Sequence, residues 1–541
     1  MMKNIVVLFA GGDMTHALEN IFDGKNAFDL AVQWAYAVAE NGIVLLTTPS
    51  GSEKLCSGAT EMDVVTQASW TNASVAAEIA AACTRHNADF AVFAWADCPL
   101  LSLSLTKELI HILTAYKAEY SFADGFPYGF APEVIDKGAC SILASLAAGS
   151  QKQVGSRAAS RDALFSIMSG DINSFEIETH LSDKDYRLLR LSFDCSLPQT
   201  ALATRRAYEN AKKAALISDT ASLLSLDVYA FSDLAEKNGE ILQTLPAFYN
   251  IQLSGKELHA LSYVPRGAGA KEDMPFSSFK ALAADIARTS ENAVVSLSLF
   301  GEPLLHPDFV ACVKELLSYP SLTVFIETCG TLVTESLAKE LADACAEAGA
   351  AGFAQSRIIW CVLLDACTPA LYAKMHNLTD SKKAEADFAL ATQAVAVLEA
   401  YFPHAVYPQL VRTKQNECEL EAFYRFWKKS DSASAGDLII QKYDRFCALL
   451  PDEKSADLSP VKRNPCWHLR RDFCILSDGS VPLCKSLAPF IATDAGVCKG
   501  NALTEGIAAV WERFKAPLAS HIHEQYEQKC QVCDEYYTFN F

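Results

Sequence analysis

The sequence lacks several features that would assign it to large functional classes. None of its uninterrupted apolar runs approaches the roughly 18 residues that a membrane-spanning helix needs. The apolar stretch from Ile5 to Ala10 is shorter than the hydrophobic region of a secretion signal and ends in Gly-Gly-Asp. Basic residues are too few for a nucleic-acid partner, because 46 Lys and Arg stand against 65 Asp and Glu, a formal charge of −19. We therefore expect a cytoplasmic protein without a membrane or nucleic-acid partner.

Cysteine, by contrast, is abundant, with 18 residues in a chain of 541. Since thiols stay reduced in the cytoplasm, a cysteine cluster there indicates a metal site more than a disulfide framework. The composition is otherwise that of a folded protein, with 50% hydrophobic and 21% charged residues. At roughly 150 residues per domain, the length predicts three or four domains.

Residues 1–190 alternate between predicted strands and helices. The strands are predicted at 4–10, 43–48 and 90–95, and the helices at 28–40 and 74–86. Such alternation is typical of βαβ units with a parallel sheet, whose ligands bind beyond the carboxyl ends of the strands. Gly11, Gly12 and Asp97 would lie at that edge. Asp97 has two interpretations: a turn cap, or a carboxylate that holds Mg²⁺ on a nucleotide phosphate.

Several motifs of this region together resemble the cytidylyltransferase-like nucleotidyltransferases of the glycosyltransferase-A fold. They are the Gly-Gly loop, a lysine before an amphipathic helix, a strand that ends in Asp-Cys-Pro-Leu, and segment 126–133. The resemblance implies a Rossmann-like domain with these nucleotide and metal contacts: Gly11, Gly12, Lys25 and Asp97. In that family an Arg after the glycines grips the triphosphate, whereas this loop has no Arg and carries Asp13, which would repel phosphate. The catalytic motif is therefore incomplete.

A predicted helical connector, 191–245, leads to a second alternating region at 246–445. Its predicted strands are 293–299, 322–327, 357–364 and 405–411. Its predicted helices are 278–289, 307–318, 334–348 and 382–401. This order fits a closed or partly closed parallel barrel as well as an open sheet, and composition does not choose between them.

Three motifs follow successive predicted strands of this region. They are Gly301-Glu302-Pro303, segment 327–332 and segment 364–372. A Gly-Glu-Pro turn after a parallel strand exposes amides and a carboxylate that suit an amino-acid-like ligand, and a helix-initiating turn is the alternative. In their order the motifs resemble the radical S-adenosylmethionine (SAM) barrel. The resemblance implies that Gly301, Glu302 and Pro303 are a degenerate SAM site.

The same resemblance carries a chemical requirement that the chain does not meet. Radical SAM enzymes hold their iron-sulfur cluster with thiolates spaced Cys-x3-Cys-x2-Cys, and the matching positions here are Glu257, Leu261 and Val264. No trio among the 18 cysteines has that spacing, and Leu and Val do not ligate iron. The barrel is therefore predicted to have lost its radical-generating cluster, which removes the main reason to expect bound SAM.

A β-hairpin is predicted near the start of the C-terminal segment, 446–541. Its turn would lie at Asp-Gly 478–479, a strong hairpin signal. The hairpin would bring Cys466 or Cys474 near Cys484.

Farther along, Cys530 and Cys533 form the tight chelating pair that tetrahedral thiolate sites need. With the Gly-Asn and Trp residues before it, this pattern resembles the SPASM and twitch domains, which follow radical SAM barrels and carry auxiliary iron-sulfur clusters. The resemblance implies one 4Fe-4S cluster held by four ligands: Cys466, Cys484, Cys530 and Cys533. Four thiolates leave no open iron, so this cluster would transfer electrons or stabilise the fold.

Two alternatives remain open for the cysteines. A four-cysteine zinc ribbon uses the same thiolates, although it usually has two Cys-x2-Cys pairs and this segment has one. Cys498 is the substitute ligand if one of the four is misassigned, and Cys474 is predicted to be a buried apolar residue. Core positions are predicted for the scattered cysteines Cys56, Cys83, Cys140, Cys312, Cys345 and Cys361.

The whole order of domains resembles that of the spiro-SPASM protein family. This resemblance implies no particular substrate. Our first hypothesis is an iron-sulfur protein of radical SAM/SPASM descent, with a barrel that binds a small-molecule or peptide ligand and with a redox partner. The second is a nucleotidyltransferase that acts on a sugar or sugar acid through residues 1–190. The third is a SAM enzyme without its own radical-generating cluster. Neither the nucleotidyltransferase region nor the barrel has a complete catalytic motif.

Overall fold

The computed structural model describes residues 2–55, 62–149, 152–349, 356–456, 459–460 and 462–538. The chain divides into two compact units, Met1–Thr244 and Leu245–Phe541. Within the described ranges, no helix has both the length and the apolar character to cross a membrane.

The first unit is built on a seven-stranded sheet. Its strands are β1 (Asn4–Ala10), β2 (Ile43–Thr47), β3 (Asp63–Thr66), β4 (Phe90–Trp95), β5 (Tyr120–Asp124), β6 (Glu133–Asp136) and β7 (Ile177–Leu181). Its helices are α1 (Ala27–Val38), α2 (Pro49–Leu55), α3 (Asn72–Arg85), α4 (Leu103–Tyr116), α5 (Lys137–Ala148), α6 (Lys152–Gly155), α7 (Ala163–Met168), α8 (Pro198–Lys213), α9 (Val228–Glu236) and α10 (Gly239–Leu242).

The strand order in this sheet is β3-β2-β1-β4-β6-β5-β7. The first four strands are parallel, and β6 is antiparallel to both of its neighbours. Alternate residues of β1 pack into two different apolar clusters, so the sheet is covered on both faces. This burial explains the continuous apolar runs, since a parallel strand with two covered faces has no polar side. The predicted strands and helices of this region are confirmed to within two residues.

The second unit contains a larger, all-parallel sheet and a short antiparallel pair. Its strands are β8 (Phe248–Ile251), β9 (Ala293–Ser296), β10 (Leu322–Thr328), β11 (Ile358–Leu363), β12 (Val406–Arg412), β13 (Ile439–Lys442), β14 (Asp472–Ile475), β15 (Ser480–Pro482) and β16 (Cys498–Asn501). Its helices are α11 (Phe276–Ser290), α12 (Phe309–Leu317), α13 (Glu335–Ala348), α14 (Pro369–Met375), α15 (Ser381–Tyr401), α16 (Leu420–Trp427), α17 (His468–Arg471), α18 (Ala502–Glu505), α19 (Ile507–Trp511), α20 (Lys515–Ile522) and α21 (Gln528–Gln531).

The strand order in the second sheet is β13-β12-β11-β10-β9-β8-β14, and every pair is parallel. From β8 to β13 the order follows the chain, as expected when each strand is followed by a right-handed crossover helix. In the described part of the chain, β13 and β14 do not pair with each other, so the sheet is a curled half-barrel. This arrangement is compatible with a radical SAM-like fold, and it decides the question that composition left open.

The predicted hairpin at 478–479 is wrong in its strand pairing. The turn itself forms, because Gly479 adopts a φ of +86° and its N–H donates to the Leu476 carbonyl at 2.8 Å. The strands on either side pair elsewhere: β14 is parallel to β8, and β15 is antiparallel to β16. All four residues of β14 pair with β8, so a tertiary pairing replaces the local one.

Candidate metal centres

In the first unit, Asp97 follows β4 and is 2% exposed. Both of its carboxylate oxygens accept hydrogen bonds from Arg161, at 2.8 Å from Nη1 and 2.6 Å from Nη2. The guanidinium also lies 3.7 Å from Asp194 and stacks on the Trp95 ring. Burial raises the pKa of Asp97, while Arg161 acts to lower it. A cation at Asp97 would have to displace Arg161, and the metal role of Asp97 stays a prediction.

The other residues predicted for a nucleotide site lie on the loop after β1. Gly11 has a packing role there, because a Cβ on it would lie 2.5 Å from Trp70 Cδ1. Gly12 has room for a Cβ, with Trp95 as its near neighbour at 3.9 Å. Lys25 donates from Nζ to Gln33 Oε1 at 2.8 Å. Their contact with a nucleotide also stays a prediction.

In the second unit, a cavity of about 140 Å³ lies among the strands β8 to β13 and the loop that follows β8. Its polar lining includes Glu327, Gln409, Lys442 and Lys485. Burial raises the pKa of Glu327, and Lys485 acts in the opposite direction. The cavity therefore offers charges of both signs inside a partly apolar wall.

The Gly-Glu-Pro turn lies beside this cavity, after β9. A Cβ on Gly301 would lie 2.3 Å from the Ser254 carbonyl, and its φ is +77°, so only glycine fits without strain. The Glu302 carboxylate accepts from Thr328 Oγ1 at 2.8 Å and from the Cys329 N–H at 2.9 Å. Pro303 is buried at the start of a short 3₁₀ turn. The turn thus joins β9 to the loop after β8 and to the end of β10.

The positions that match the missing cluster ligands lie on the loop after β8. Glu257, Leu261 and Val264 all line the cavity. Leu261 and Val264 also pack into apolar clusters with neighbouring core residues. Hydrophobic packing therefore occupies the place where the resemblance would put thiolates.

The same loop contributes His259 to a buried group of possible metal ligands that no sequence motif predicts. Ligand atoms of His259, Cys329 and His376 all lie within 4.8 Å of one another. These residues are 6%, 5% and 0% exposed, respectively. His259 Nδ1 and His376 Nδ1 are 2.9 Å apart. Burial and the neighbouring His376 lower the pKa of His259 to about 4.

A carboxylate lies beside the second ring nitrogen of each histidine. His259 Nε2 is 3.1 Å from Asp387 Oδ2, and His376 Nε2 is 3.4 Å from Asp365 Oδ2. Asp365 is already hydrogen-bonded, since it accepts from Tyr263 at 2.7 Å and from the Val411 N–H at 2.7 Å. Within the described residues, His376 Nε2 has no hydrogen-bond partner.

A second cavity lies in the C-terminal segment and is lined by five cysteines. The four predicted ligands all line it, and the structure adds a fifth: Cys466, Cys484, Cys530, Cys533 and Cys447. Cys447 follows β13, and Cys530 and Cys533 lie in and just after α21. Cys447 and Cys533 are 86 positions apart in the sequence. Their sulfurs are nevertheless close enough to share a hydrogen bond.

These thiols perturb one another. Burial raises the pKa of Cys484, and the next largest effects come from Cys533, Cys466 and Cys530. Burial and Cys533 likewise raise the pKa of Cys530 to about 12. The Cys533 sulfur accepts from the Glu535 N–H at 3.4 Å, and its hydrogen bond with Cys447 lowers its pKa.

The remaining cysteines differ from this set. Cys474 is 3% exposed on β14 and packs in an apolar cluster, as predicted. Cys498 lies on β16, and its thiol donates to the Gly500 carbonyl at 3.5 Å. The core prediction is confirmed for the buried Cys83, Cys140, Cys312 and Cys361, whereas Cys345 is half-buried. Cys56 lies outside the described residues.

A relative of this chain is an uncharacterized protein of Treponema pallidum (strain Nichols), which is 37% identical over 384 residues. The match covers 70% of this chain and 98% of the relative. The chain belongs to the family of that protein. No family model matches the sequence.

The solved structures that resemble this chain have low TM-scores against it. SuiB of Streptococcus suis bound to precursor peptide SuiA has a TM-score of 0.38 and 14% identity, over 70% of this chain and 82% of that one. Native anSMEcpe with bound AdoMet has a TM-score of 0.38 and 14% identity, over 54% and 87%. A cytidylyltransferase from Leptospira borgpetersenii serovar Hardjo-bovis (strain JB197) has a TM-score of 0.36 and 14% identity, over 45% and 99%. Scores this low carry no functional argument.

Proposed function

We propose that this chain is an iron-sulfur protein of SPASM type, which holds one 4Fe-4S cluster with Cys466, Cys484, Cys530 and Cys533. The observation that carries the proposal is the convergence of these four residues on one buried cavity. They come from three separate stretches of the segment, and only Cys530 and Cys533 are close together in the sequence. Buried thiols meet in this number where they bind a metal or form disulfides, and no cysteine among the described residues is in a disulfide.

The donor set fits a 4Fe-4S cluster. Iron-sulfur clusters are held by cysteine thiolates, and four of them saturate the four irons. Backbone amides support the sulfurs, since N–H groups of His468 and Leu469 donate to Cys466. Hydrogen bonds to ligand sulfur are one of the means by which a protein sets the potential of a cluster. When bound, the cluster would supply one-electron transfer at this place.

Cys447 is the fifth thiol of the cavity, and the proposal assigns it no iron. The residues around it, Phe446 and Ala448, share its left-handed backbone, with φ of 48°, 53° and 67° along the three positions. The Cys447 side chain is hydrogen-bonded to Cys533. Cys447 is therefore the first residue to test as an alternative ligand.

The barrel, in this proposal, binds a small-molecule or peptide ligand and does not cleave SAM to a radical. Leu261 and Val264 support this part, because apolar packing occupies the positions of two ligands. The cluster site and the barrel cavity share Glu535 as a lining residue. Adjacent residues line the two cavities in another place, with Cys484 in one and Lys485 in the other. A ligand in the barrel would thus lie close to the cluster.

Iron and sulfide counting on anaerobically purified full-length protein tests the proposal. We expect about four irons and four sulfides per chain and a visible absorption band, both lost in a Cys530→Ser, Cys533→Ser variant. Cys474→Ser is the matched control, because Cys474 is equally buried but packs outside the cysteine cavity. It should keep the full iron content.

Other metal contents would contradict the proposal in distinct ways. About eight irons per chain would mean a second cluster, and zinc without iron would mean a zinc ribbon. Loss of iron in Cys447→Ser with full iron in Cys484→Ser would replace Cys484 by Cys447 in the ligand set.

A further inference from the structure

The buried group of His259, Cys329 and His376 in the barrel has a hydrogen-bonding problem as it stands. His259 can donate its Nε2–H to Asp387, which lies 3.1 Å away. Its Nδ1 must then accept the proton of His376 Nδ1, at 2.9 Å. With both rings neutral, that leaves a lone pair on His376 Nε2, which is buried beside the Asp365 carboxylate, also an acceptor. Two acceptors face each other at 3.4 Å, and buried polar atoms without partners are costly.

A cation beside the two Nδ1 atoms removes this problem. Each Nδ1 then presents a lone pair to the ion, and each Nε2 carries a proton. His259 donates that proton to Asp387, and His376 turns its Nε2–H to Asp365. Histidines that bind metals almost always donate their other ring N–H to a carboxylate or carbonyl in this way. Both histidines of the group have such a carboxylate in place.

The third donor is a sulfur at the end of β10. The Cys329 N–H is held by the Glu302 carboxylate at 2.9 Å, and Cys329 lines the barrel cavity together with His259. Two imidazoles and one thiol form a donor set that suits zinc, and harder cations such as Mg²⁺ prefer oxygen. Tetrahedral zinc ligands at about 2.05 Å place two nitrogens about 3.3 Å apart, so the rings would separate by a few tenths of an ångström.

We infer that His259, Cys329 and His376 bind one zinc-type divalent cation at the inner end of the barrel cavity. Three protein ligands leave a fourth position, as in catalytic zinc sites. Because two of the three ligands line the cavity, that position opens toward it and would take water or a donor atom of the bound ligand. The barrel thus keeps a metal-binding loop after β8, with a histidine at 259 in place of cysteines at the three matching positions.

The inference does not depend on the cluster in the C-terminal segment. The test therefore measures a difference in zinc per chain after dialysis against zinc and then against buffer. We expect full-length wild type to retain one zinc more than His259→Gln or His376→Gln, whatever metal the cysteine cavity holds. Cys361→Ser is the matched control for Cys329→Ser, since Cys361 is a buried barrel cysteine on the neighbouring strand β11. Cys361→Ser should retain zinc as wild type does, and Cys329→Ser should not.

Equal zinc in wild type and in folded histidine variants would overturn the inference. If a variant does not fold, zinc-edge X-ray absorption on the Cys530→Ser, Cys533→Ser protein decides instead. A shell that contains both nitrogen and a single sulfur supports the site, and an all-oxygen shell or no retained zinc overturns it. Asp387→Asn should weaken zinc binding by about 10- to 100-fold without changing the ligand atoms, as expected for a residue that orients a ligand.

Discussion

Two clusters of buried titratable groups in this chain differ in the source of their counter-charge. In the first unit, Asp97 and Asp194 share Arg161, so the positive charge is part of the chain. In the second unit, burial and then three other thiols of the C-terminal cavity raise the pKa of Cys484. A raised pKa keeps this thiol neutral, and its thiolate form would need a positive charge such as the metal that we propose. The comparison teaches that ligand-type residues indicate a metal only when the fold does not already neutralise them.

The largest expected effect comes from removing the built-in cation. Arg161→Ala leaves two carboxylates buried without their partner, which we expect to lower the free energy of unfolding of the first unit by about 3 kcal/mol. Urea denaturation followed by hydrogen exchange in peptides around Asp97 measures this. Arg205→Ala, which breaks an exposed pair with Glu209, is the control and should cost under about 1 kcal/mol. If Arg161→Ala lowered the free energy of unfolding no more than the control does, the contrast between the two clusters would be contradicted.

Metal removal should destabilise the cysteine cavity and leave the Asp97 cluster unchanged. A bound group present at 100 times its dissociation constant stabilises the folded state by about 2.7 kcal/mol. Stripping the metal from full-length protein should therefore speed hydrogen exchange in peptides around Cys466 and Cys530, while peptides around Asp97 stay unchanged. Exchange that is equally fast before and after stripping would show that the cysteine cavity needs no metal for its structure.

A carboxyl group without a cation sharpens the contrast within the first unit. Burial raises the pKa of Glu133 to about 7, and only the Tyr120 hydroxyl, at 2.9 Å, acts to lower it among the effects that are resolved. The pKa of Glu133 in the folded protein is above its value of about 4.5 in the unfolded chain. Glu133 therefore contributes its full stabilisation below pH 4.5 and loses it as the pH rises through 7.

Glu133→Gln cannot ionise, so it escapes this loss. Relative to wild type, its free energy of unfolding should rise by about 3 kcal/mol between pH 4.5 and pH 8, measured by denaturation at a series of pH values. Asp194→Asn serves as the comparison, because Arg161 and the Ser192 and Ser196 hydroxyls hold the pKa of that carboxylate below its usual value in spite of its burial. Parallel pH profiles for wild type and Glu133→Gln would contradict the expectation.

Much of the local structure could be predicted from the sequence. Parallel strands covered on both faces are apolar along their whole length, and this pattern located β1, β4 and β10 to within a residue or two. Cys530 and Cys533 were recognisable because a chelating pair needs only two intervening residues. The hairpin at 478–479 was mispredicted, since the turn signal is local but the partner of β14 is β8, more than 200 residues earlier.

The residues that only the fold brings to the two candidate metal sites have no local signal. Cys447 is separated from the nearest predicted ligand by 18 residues and carries no motif. His259 lies in the loop after β8, whose matching positions predict cysteines at 257, 261 and 264, and a single histidine between them matches no motif. His376 directly follows α14 and Asp387 lies on α15, more than 100 residues from His259. A search for histidines on loops that follow barrel strands would have found His259 but not its partners.

The sequence by itself determined the alternating strand and helix order, the absence of the Cys-x3-Cys-x2-Cys triad and the four cysteines of the C-terminal segment. These properties depend on periodicity and short spacing, which a chain carries without being folded. Only the tertiary structure decided that Arg161 pairs with Asp97, that Cys447 joins the cysteine cavity, and that two histidines meet Cys329 inside the barrel. Charge compensation and metal geometry are set by distances of a few ångströms between residues far apart in the chain, and only folding creates those distances.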